Sequence, residues 1–186
     1  MITDKLAIEN YMLIDIDDSF DDQLDEWIEG VEQEMNMMTD RQLVADDTAG
    51  EYKYDGNGKK EMLIDDFVDI DSIEVDGEDL TEDIYQYPAN KLPKYQLKID
   101  DYIFTKGRQN IVITGKKGYA AEANIPKDLK MAATILVAGI INFSNSHEGE
   151  IHRESIGRYT VEYATDQQKI DYKTARATIE RYRRIR

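Results

Sequence analysis

The 186-residue chain has no cysteine, three prolines, two histidines and one tryptophan, and each scarcity removes a class of chemistry. Without cysteine there is no disulfide framework, no thiol nucleophile and no cysteine-based zinc site. Long apolar runs are also missing. The longest largely apolar stretch, Met131 to Phe143, covers 13 residues and is too short to span a membrane. The opening Met-Ile-Thr-Asp-Lys lacks the charged-then-apolar profile of a signal peptide. The composition therefore predicts a soluble, intracellular protein with no membrane partner.

Positive charge is the other scarcity, and it is unevenly spread. Residues 1–83 hold 28 acidic and 5 basic side chains, whereas residues 84–186 hold 11 acidic and 18 basic ones. The net formal charge is −16, yet from Lys169 onward seven Lys and Arg face only Asp171 and Glu180. An acidic body is poorly suited to coating DNA, because like charge repels the phosphates. An acidic body with a basic end suits self-assembly, or insertion of the basic end into an acidic partner.

What the chain does have is core material: 41% hydrophobic residues and twelve tyrosines. At this length one or two domains are expected, burying roughly 70% of the unfolded surface. Thr3 is placed to cap a short helix through Met12, and Ser19 to cap a second. In the second helix Phe20, Leu24, Trp27, Ile28, Val31, Met35 and Met38 recur at helical spacing, with Asp21 and Asp22 in the first turn. Leu24, Trp27, Ile28 and Val31 are its predicted core residues.

From Glu51 the pattern turns to strands. Glu51–Tyr54 and Glu61–Ile64 flank Asp55-Gly-Asn-Gly58 and read as a hairpin. Val68–Val75 and Ile84–Tyr87 read as further strands, the latter stopped by Pro88. Leu97–Thr105 and Gln109–Thr114 read as a second pair. Pro126 opens an apolar helix from Lys127 to about Asn145, in which Leu136, Val137 and Ile140 are predicted core. Ile156–Tyr163 reads as extended, and Thr165 as the cap of a last helix reaching about Arg183. The order predicts an α+β fold: a small helical bundle, an inserted antiparallel β-unit and a C-terminal basic helix with a tail.

Catalytic and metal motifs fail on spacing. Asp15, Asp17, Ser19, Asp21 and Glu26 match calcium-loop positions, but Phe20 stands where that loop needs glycine. His147 and His152 are five residues apart, about 140° apart on a helix, so they do not share a face as zinc ligands do. Asp55-Gly-Asn-Gly58 lacks the lysine-serine ending and following helix of a phosphate loop. No nucleophile stands beside a base. The reading is a protein that is not an enzyme and has no cofactor, catalytic residue or metal site.

The order of pieces resembles the head–tail connector proteins of long-tailed bacteriophages, also called adaptor or head-completion proteins. The resemblance is carried by the N-terminal helices Leu6–Leu13 and Asp21–Met38 with the exit Thr39-Asp-Arg-Gln-Leu43. It continues through the β-stretch Glu51–Gly58, Met62–Ile64 and Val68–Gly77, then Ile111–Tyr119 and Ile125–Ala133. Glu154–Tyr163 and Ile179–Ile185 complete it. Gly115-Lys-Lys117 departs from the pattern, where a tyrosine-containing strand end is expected.

The resemblance implies a single connector domain over 1–186, with N-terminal helices in 1–45, a β-rich insert in 50–118, a central helix in 125–146 and a C-terminal helix and tail in 165–186. It implies a structural virion protein at the capsid vertex, made in the host cytoplasm and assembled as a ring, commonly of twelve copies, under the portal protein. The ring extends the DNA channel, passes DNA without specific binding and docks a neck, stopper or tail-completion protein. In that family the C-terminal segment contacts the portal. Here Arg176, Arg181, Tyr182, Arg183, Arg184, Ile185 and Arg186 are the residues so implied; their guanidinium groups and aromatic ring suit an acidic surface. Carboxylates facing the bore would repel DNA, and dense like charge predicts that rings form more readily on the portal or at raised salt.

Two other readings use parts of the same sequence. Another neck or tail-completion component would share the α+β construction, but such proteins are usually β-dominated. An acidic regulatory protein that mimics DNA would use the charge and leave the C-terminal arginines without a role.

Overall fold

The computed structural model describes residues 1–145, 152–156, 159–163 and 166–184, with side chains described for 1–142 and 169–184. The fold is α+β and divides into two compact units. One contains Met1–Asp40 and Ile125–Arg186; the other is the intervening Arg41–Asn124.

The first unit is built on α3 (Lys127–Asn145). Leu129, Ala132, Ala133, Leu136, Val137, Ala138, Ile140 and Ile141 are all buried, so the helix is covered around most of its girth. Helices α1 (Lys5–Met12), α2 (Asp21–Thr39) and α4 (Asp166–Arg181) pack on it, as does strand β8 (Tyr159–Tyr163). Pro126 sits immediately before α3, and its carbonyl accepts the Lys130 N–H at 3.0 Å, closing the first turn. Strand β8 pairs antiparallel with β7 (His152–Ile156), so the stretch expected to be merely extended contributes one strand of a two-stranded ribbon.

Both N-terminal caps differ from the sequence expectation. Asp4, not Thr3, caps α1, accepting the Ala7 N–H at 2.8 Å. Thr3 is buried instead, its hydroxyl 2.7 Å from that of Thr134 on α3. Ser19 does not cap α2 either. Asp17 accepts the Ser19 N–H and caps a single 3-10 turn, Asp18–Phe20, that runs directly into α2. Asp is at least as good a cap as Ser or Thr, and it caps α1 and the 3-10 turn here, while α2 itself starts after Phe20 with no side-chain cap bond.

Leu24, Ile28 and Val31 are buried on α2, as Leu136, Val137 and Ile140 are on α3. Trp27, expected in the core, is only partly buried and lines an open groove. Thr165, the expected cap of α4, lies outside the described residues.

The second unit is a six-stranded antiparallel sheet. Its strands are β1 (Gly50–Gly56), β2 (Glu61–Val75), β3 (Glu78–Asp79), β4 (Ile84–Tyr87), β5 (Lys94–Ile99) and β6 (Gly107–Lys117). The order is β1-β6-β2-β5-β4, with β3 folded back on β2. Both expected hairpins are therefore corrected. Strand β1 pairs with β6 rather than with β2, and β5 pairs with β2 and β4 rather than with β6.

The two stretches Met62–Ile64 and Val68–Val75 are one bent strand. Its register shifts between Leu63 and Phe67, Phe67 and Asp69, and Ile70 and Ser72. These bulges let β2 pair with β5 through its first half and with β6 through its second. At the bend Gly115 of β6 comes so close that a Cβ would lie 2.3 Å from the Asp69 carbonyl oxygen, which accounts for glycine at that departure from the connector pattern. The core of this unit is Phe67, Ile73, Leu97, Phe104, Ile111 and Ile113, all fully buried, with Tyr52 and Tyr54 packed on it.

Candidate functional site

The basic terminal helix holds its place through one apolar face. Tyr172, Ala175 and Ile179 recur at three- and four-residue spacing and are buried. Lys173, Arg181 and Arg183 are exposed, Arg176 is half-buried, and Ile170 lies open at 56% exposure. The α4 surface is thus a row of cations beside a bare isoleucine. Tyr11 of α1 donates to Asp171 at 3.3 Å, a further tie between α4 and the bundle.

The end of the helix is more ordered than a free tail. Arg181 donates to the Thr178 hydroxyl at 2.9 Å and lies 3.7 Å from the Asp128 carboxylate. Tyr182 donates its phenolic hydrogen to the same carboxylate at 2.8 Å. Beyond it, the Arg184 N–H donates to the Thr39 carbonyl, the last residue of α2, at 2.8 Å. Asp128 occupies the first turn of α3, where a carboxylate is favoured by the helix dipole. One acid therefore serves the start of α3 and the end of α4 together.

Of the residues implied for portal binding, the structure places Arg176, Arg181 and Arg183 at the surface and ties Tyr182 and Arg184 to the bundle. Ile185 and Arg186 lie outside the described residues. The role of Asp128 is not visible in the sequence. The available signal was an isolated acid two residues after Pro126, in a helix otherwise opened by lysines.

Helix α2 carries the opposite charge. Its outward face shows Asp22, Asp25, Glu26 and Glu29, and from Leu6 to Asp40 there is no Lys or Arg. The base before that stretch, Lys5, reaches the Asp18 carboxylate at 2.6 Å and that of Asp21 at 2.8 Å. Those two hydrogen bonds raise the Lys5 ammonium above its ordinary pKa. Asp17 is held below the usual carboxylate range by its hydrogen bonds to Ser19. One carboxylate of the calcium-like string, Asp21, is thus engaged by an ammonium, and both Asp21 and Glu26 belong to a helix. Among the described residues no group of three or more His, Asp or Glu is arranged to hold a metal ion. His147 lies outside the described residues, as does the side chain of His152. No helix among them is long and apolar enough to cross a membrane.

The base that ends the cation-free stretch, Arg41, anchors the sheet unit. Its Nη1 lies 2.7 Å from Asp66, whose side chain is 3% exposed, and its guanidinium stacks over Tyr119 at 5.2 Å. Tyr52 donates to Asp46, which also accepts from Gln42 at 2.7 Å. Lys117 sits over the Tyr52 ring and 3.2 Å from Asp65. Burial, and then the Asp46 bond, push the Tyr52 phenol up to about 12. These groups close the sheet unit by joining its entry, Arg41–Asp46, to its exit, Lys117–Ala120. Tyr119 and Ala120 donate backbone bonds to Gln42 and Leu43 there. The network is a clasp of paired groups with no nucleophile poised over a cavity.

No protein-family model and no curated protein matches the sequence. Solved structures do. A chain in the neck of an empty GTA particle computed with C6 symmetry aligns over 97% of this chain and 89% of its own, at 12% identity and a TM-score of 0.60. A chain in the neck of the native GTA particle computed with C12 symmetry aligns over 91% and 86%, at 13% identity and a TM-score of 0.57. A chain in the virion of the native gene transfer agent (GTA) particle aligns over 89% and 79%, at 15% identity and a TM-score of 0.54. At such identity what is common is the fold, and it is common over nearly the whole chain: this protein has the fold of chains found in phage-like particle necks.

Proposed function

We propose that this protein is a structural component of the neck of a phage-like particle, forming a ring of copies between head and tail. The observation that carries this reading is the likeness to GTA neck chains over 97% and 91% of the sequence, in assemblies computed with C6 and C12 symmetry respectively. The resemblance drawn from the sequence points to the same place independently. Charge supports it as well. A channel that must pass DNA without holding it is served by carboxylates, and the first 83 residues carry 28 of them.

The finer assignment is that the ring sits under a portal protein, with a stopper or tail-completion protein on its other side. The exposed cations Arg181 and Arg183 and the half-buried Arg176 of α4 and its tail are the proposed portal-facing groups. The role is structural rather than catalytic. DNA passes the ring without sequence recognition.

The test is mass photometry of the full chain mixed with purified portal ring. A fixed number of added copies per portal, reduced by Arg181→Glu with Arg183→Glu, is the expected result. No added copies across a range of salt would remove the connector reading. Copies added equally by the charge-reversed variant would remove the role given to α4.

A further inference from the structure

The segment between α1 and α2 leaves a groove open on the helical unit. Ile14, Asp15, Ile16, Asp17, Phe20 and Trp27 line it, with Leu24 and Ile141 at its base, around a volume of about 390 Å³. Its lips are bare: Phe20 is 51% exposed and Ile14 44%. An apolar floor with exposed aromatic and aliphatic lips is what a docking site for an apolar side chain looks like.

The charge around it selects the occupant. Ten carboxylates and no Lys or Arg fall between Asp15 and Glu34. The base that precedes this stretch in the chain, Lys5, is taken up by Asp18 and Asp21. Asp15, on the groove wall, makes no ion pair among the described residues. The fitting ligand is therefore a short segment with an apolar side chain flanked by cations. This chain carries one: Arg183-Arg-Ile-Arg186.

It cannot serve its own groove. Arg184 is held at Thr39, the C-terminal end of α2, whereas the groove is at the N-terminal end, beside Phe20 and Gln23. Gln23 and Thr39 are roughly 24 Å apart by helical rise. Ile185 and Arg186 extend the chain by at most about 7 Å. Tail and groove at opposite ends of one helix make a head-to-tail contact between copies, the kind that closes rings when the rotation permits.

We propose that this groove receives the C-terminal segment of a second copy, with Ile185 seated against Trp27 and Phe20, and Arg183 and Arg186 over Asp15 and Asp17. The proposal goes beyond the neck reading, which does not say how copies meet. The same arginines have the portal as a later destination, and the neighbouring groove holds them before a portal is met.

Trp27 is the only tryptophan in the chain and lies in the groove, so its emission reports occupancy directly. The experiment titrates a synthetic peptide of residues 180–186, which contains no tryptophan, into dilute full-length protein. The expected result is a saturable shift of Trp27 emission that weakens with salt. An Ile185→Asp peptide, or an Ile14→Lys protein, should need at least about tenfold more peptide for half the shift. The Ile185→Asp peptide leaves the protein unaltered, so that comparison holds even where Ile14→Lys disturbs the fold. No saturable shift by on the order of 1 mM peptide would overturn the proposal. So would equal shifts from the Ile185→Asp peptide or a scrambled one, since these mean attraction by charge alone. Portal mixing reads copies added to a portal and the titration reads a peptide on one copy, so either can fail without the other.

Discussion

Tyr182 and Asp128 are 54 residues apart in sequence and 2.8 Å apart in space, phenolic hydroxyl to carboxylate, joining the last turn of α4 to the first turn of α3. The bond sits at the point where a basic tail leaves the helical unit. It makes that exit a defined direction rather than a frayed end, and Arg181 and Arg184 reinforce it.

Asp128→Ala removes the partner of both Tyr182 and Arg181. These groups are largely exposed, so the global loss is expected at about 1 kcal/mol or less. The larger effect is local: amide hydrogen exchange of Tyr182–Arg184 should quicken while the sheet unit is unchanged. Unchanged exchange there would mean that the Arg184–Thr39 bond alone holds the exit.

Asp66→Ala strands the Arg41 guanidinium in a site where its side chain is 18% exposed. Breaking one side of a largely buried pair costs about 3 kcal/mol, whereas replacing both partners with apolar groups is often neutral. Urea denaturation of Asp66→Ala, of Arg41→Met and of Arg41→Met with Asp66→Leu should show the double variant nearer to wild type than either single one. Additive losses would contradict the pair as the cause.

Gly118→Ala meets two obstacles. The residue has φ of +143°, and a Cβ would lie 2.3 Å from the Ala45 Cα. Strain of this kind costs about 1–3 kcal/mol before the clash is counted. The expected outcome is a destabilised sheet unit, seen as early loss of its exchange protection with the helical unit's protection retained. A variant with wild-type midpoint would show that entry and exit strands can separate freely.

Tyr52 gives a pH dependence at the alkaline end. Its phenol is raised to about 12 in the folded protein by burial and by Asp46, against 10.0 for an ordinary tyrosine. A raised acid favours the neutral form in the fold, so its contribution to stability is whole below pH 10 and declines as pH rises toward 12. Tyr52→Phe should flatten that decline in stability and remove a step near pH 12 from an absorbance titration of the tyrosines. A decline of the same slope in the variant would assign it elsewhere.

Much of the helical unit was legible from spacing. The apolar positions of α2 and α3 recur at three and four residues, and burial of Leu24, Ile28, Val31, Leu136, Val137 and Ile140 follows from that period. Trp27 departs from this, because period gives a face and not its coverage: the α1–α2 link leaves one end of that face open. The sheet was legible as strands and not as pairs. Asp55-Gly-Asn-Gly58 reads as a hairpin turn, yet β1 pairs with β6, about sixty residues further along the chain. A glycine-rich turn lowers the local cost of reversal, but the partner is chosen by which face each strand must bury, and that is a long-range matter.

The sequence by itself determined the class of protein: helices at both ends, strands between, an acidic body and a basic end. Those follow from period, turn residues and charge, which act over a few neighbours or over none. Only the tertiary structure decided where the charges go. Lys5 lies between two aspartates, Arg41 is held by Asp66, and Arg181 faces Asp128. It likewise set the tail at one end of α2 and the open groove at the other. Each of these is a pairing across the fold, fixed by packing that brings together residues a linear pattern keeps apart.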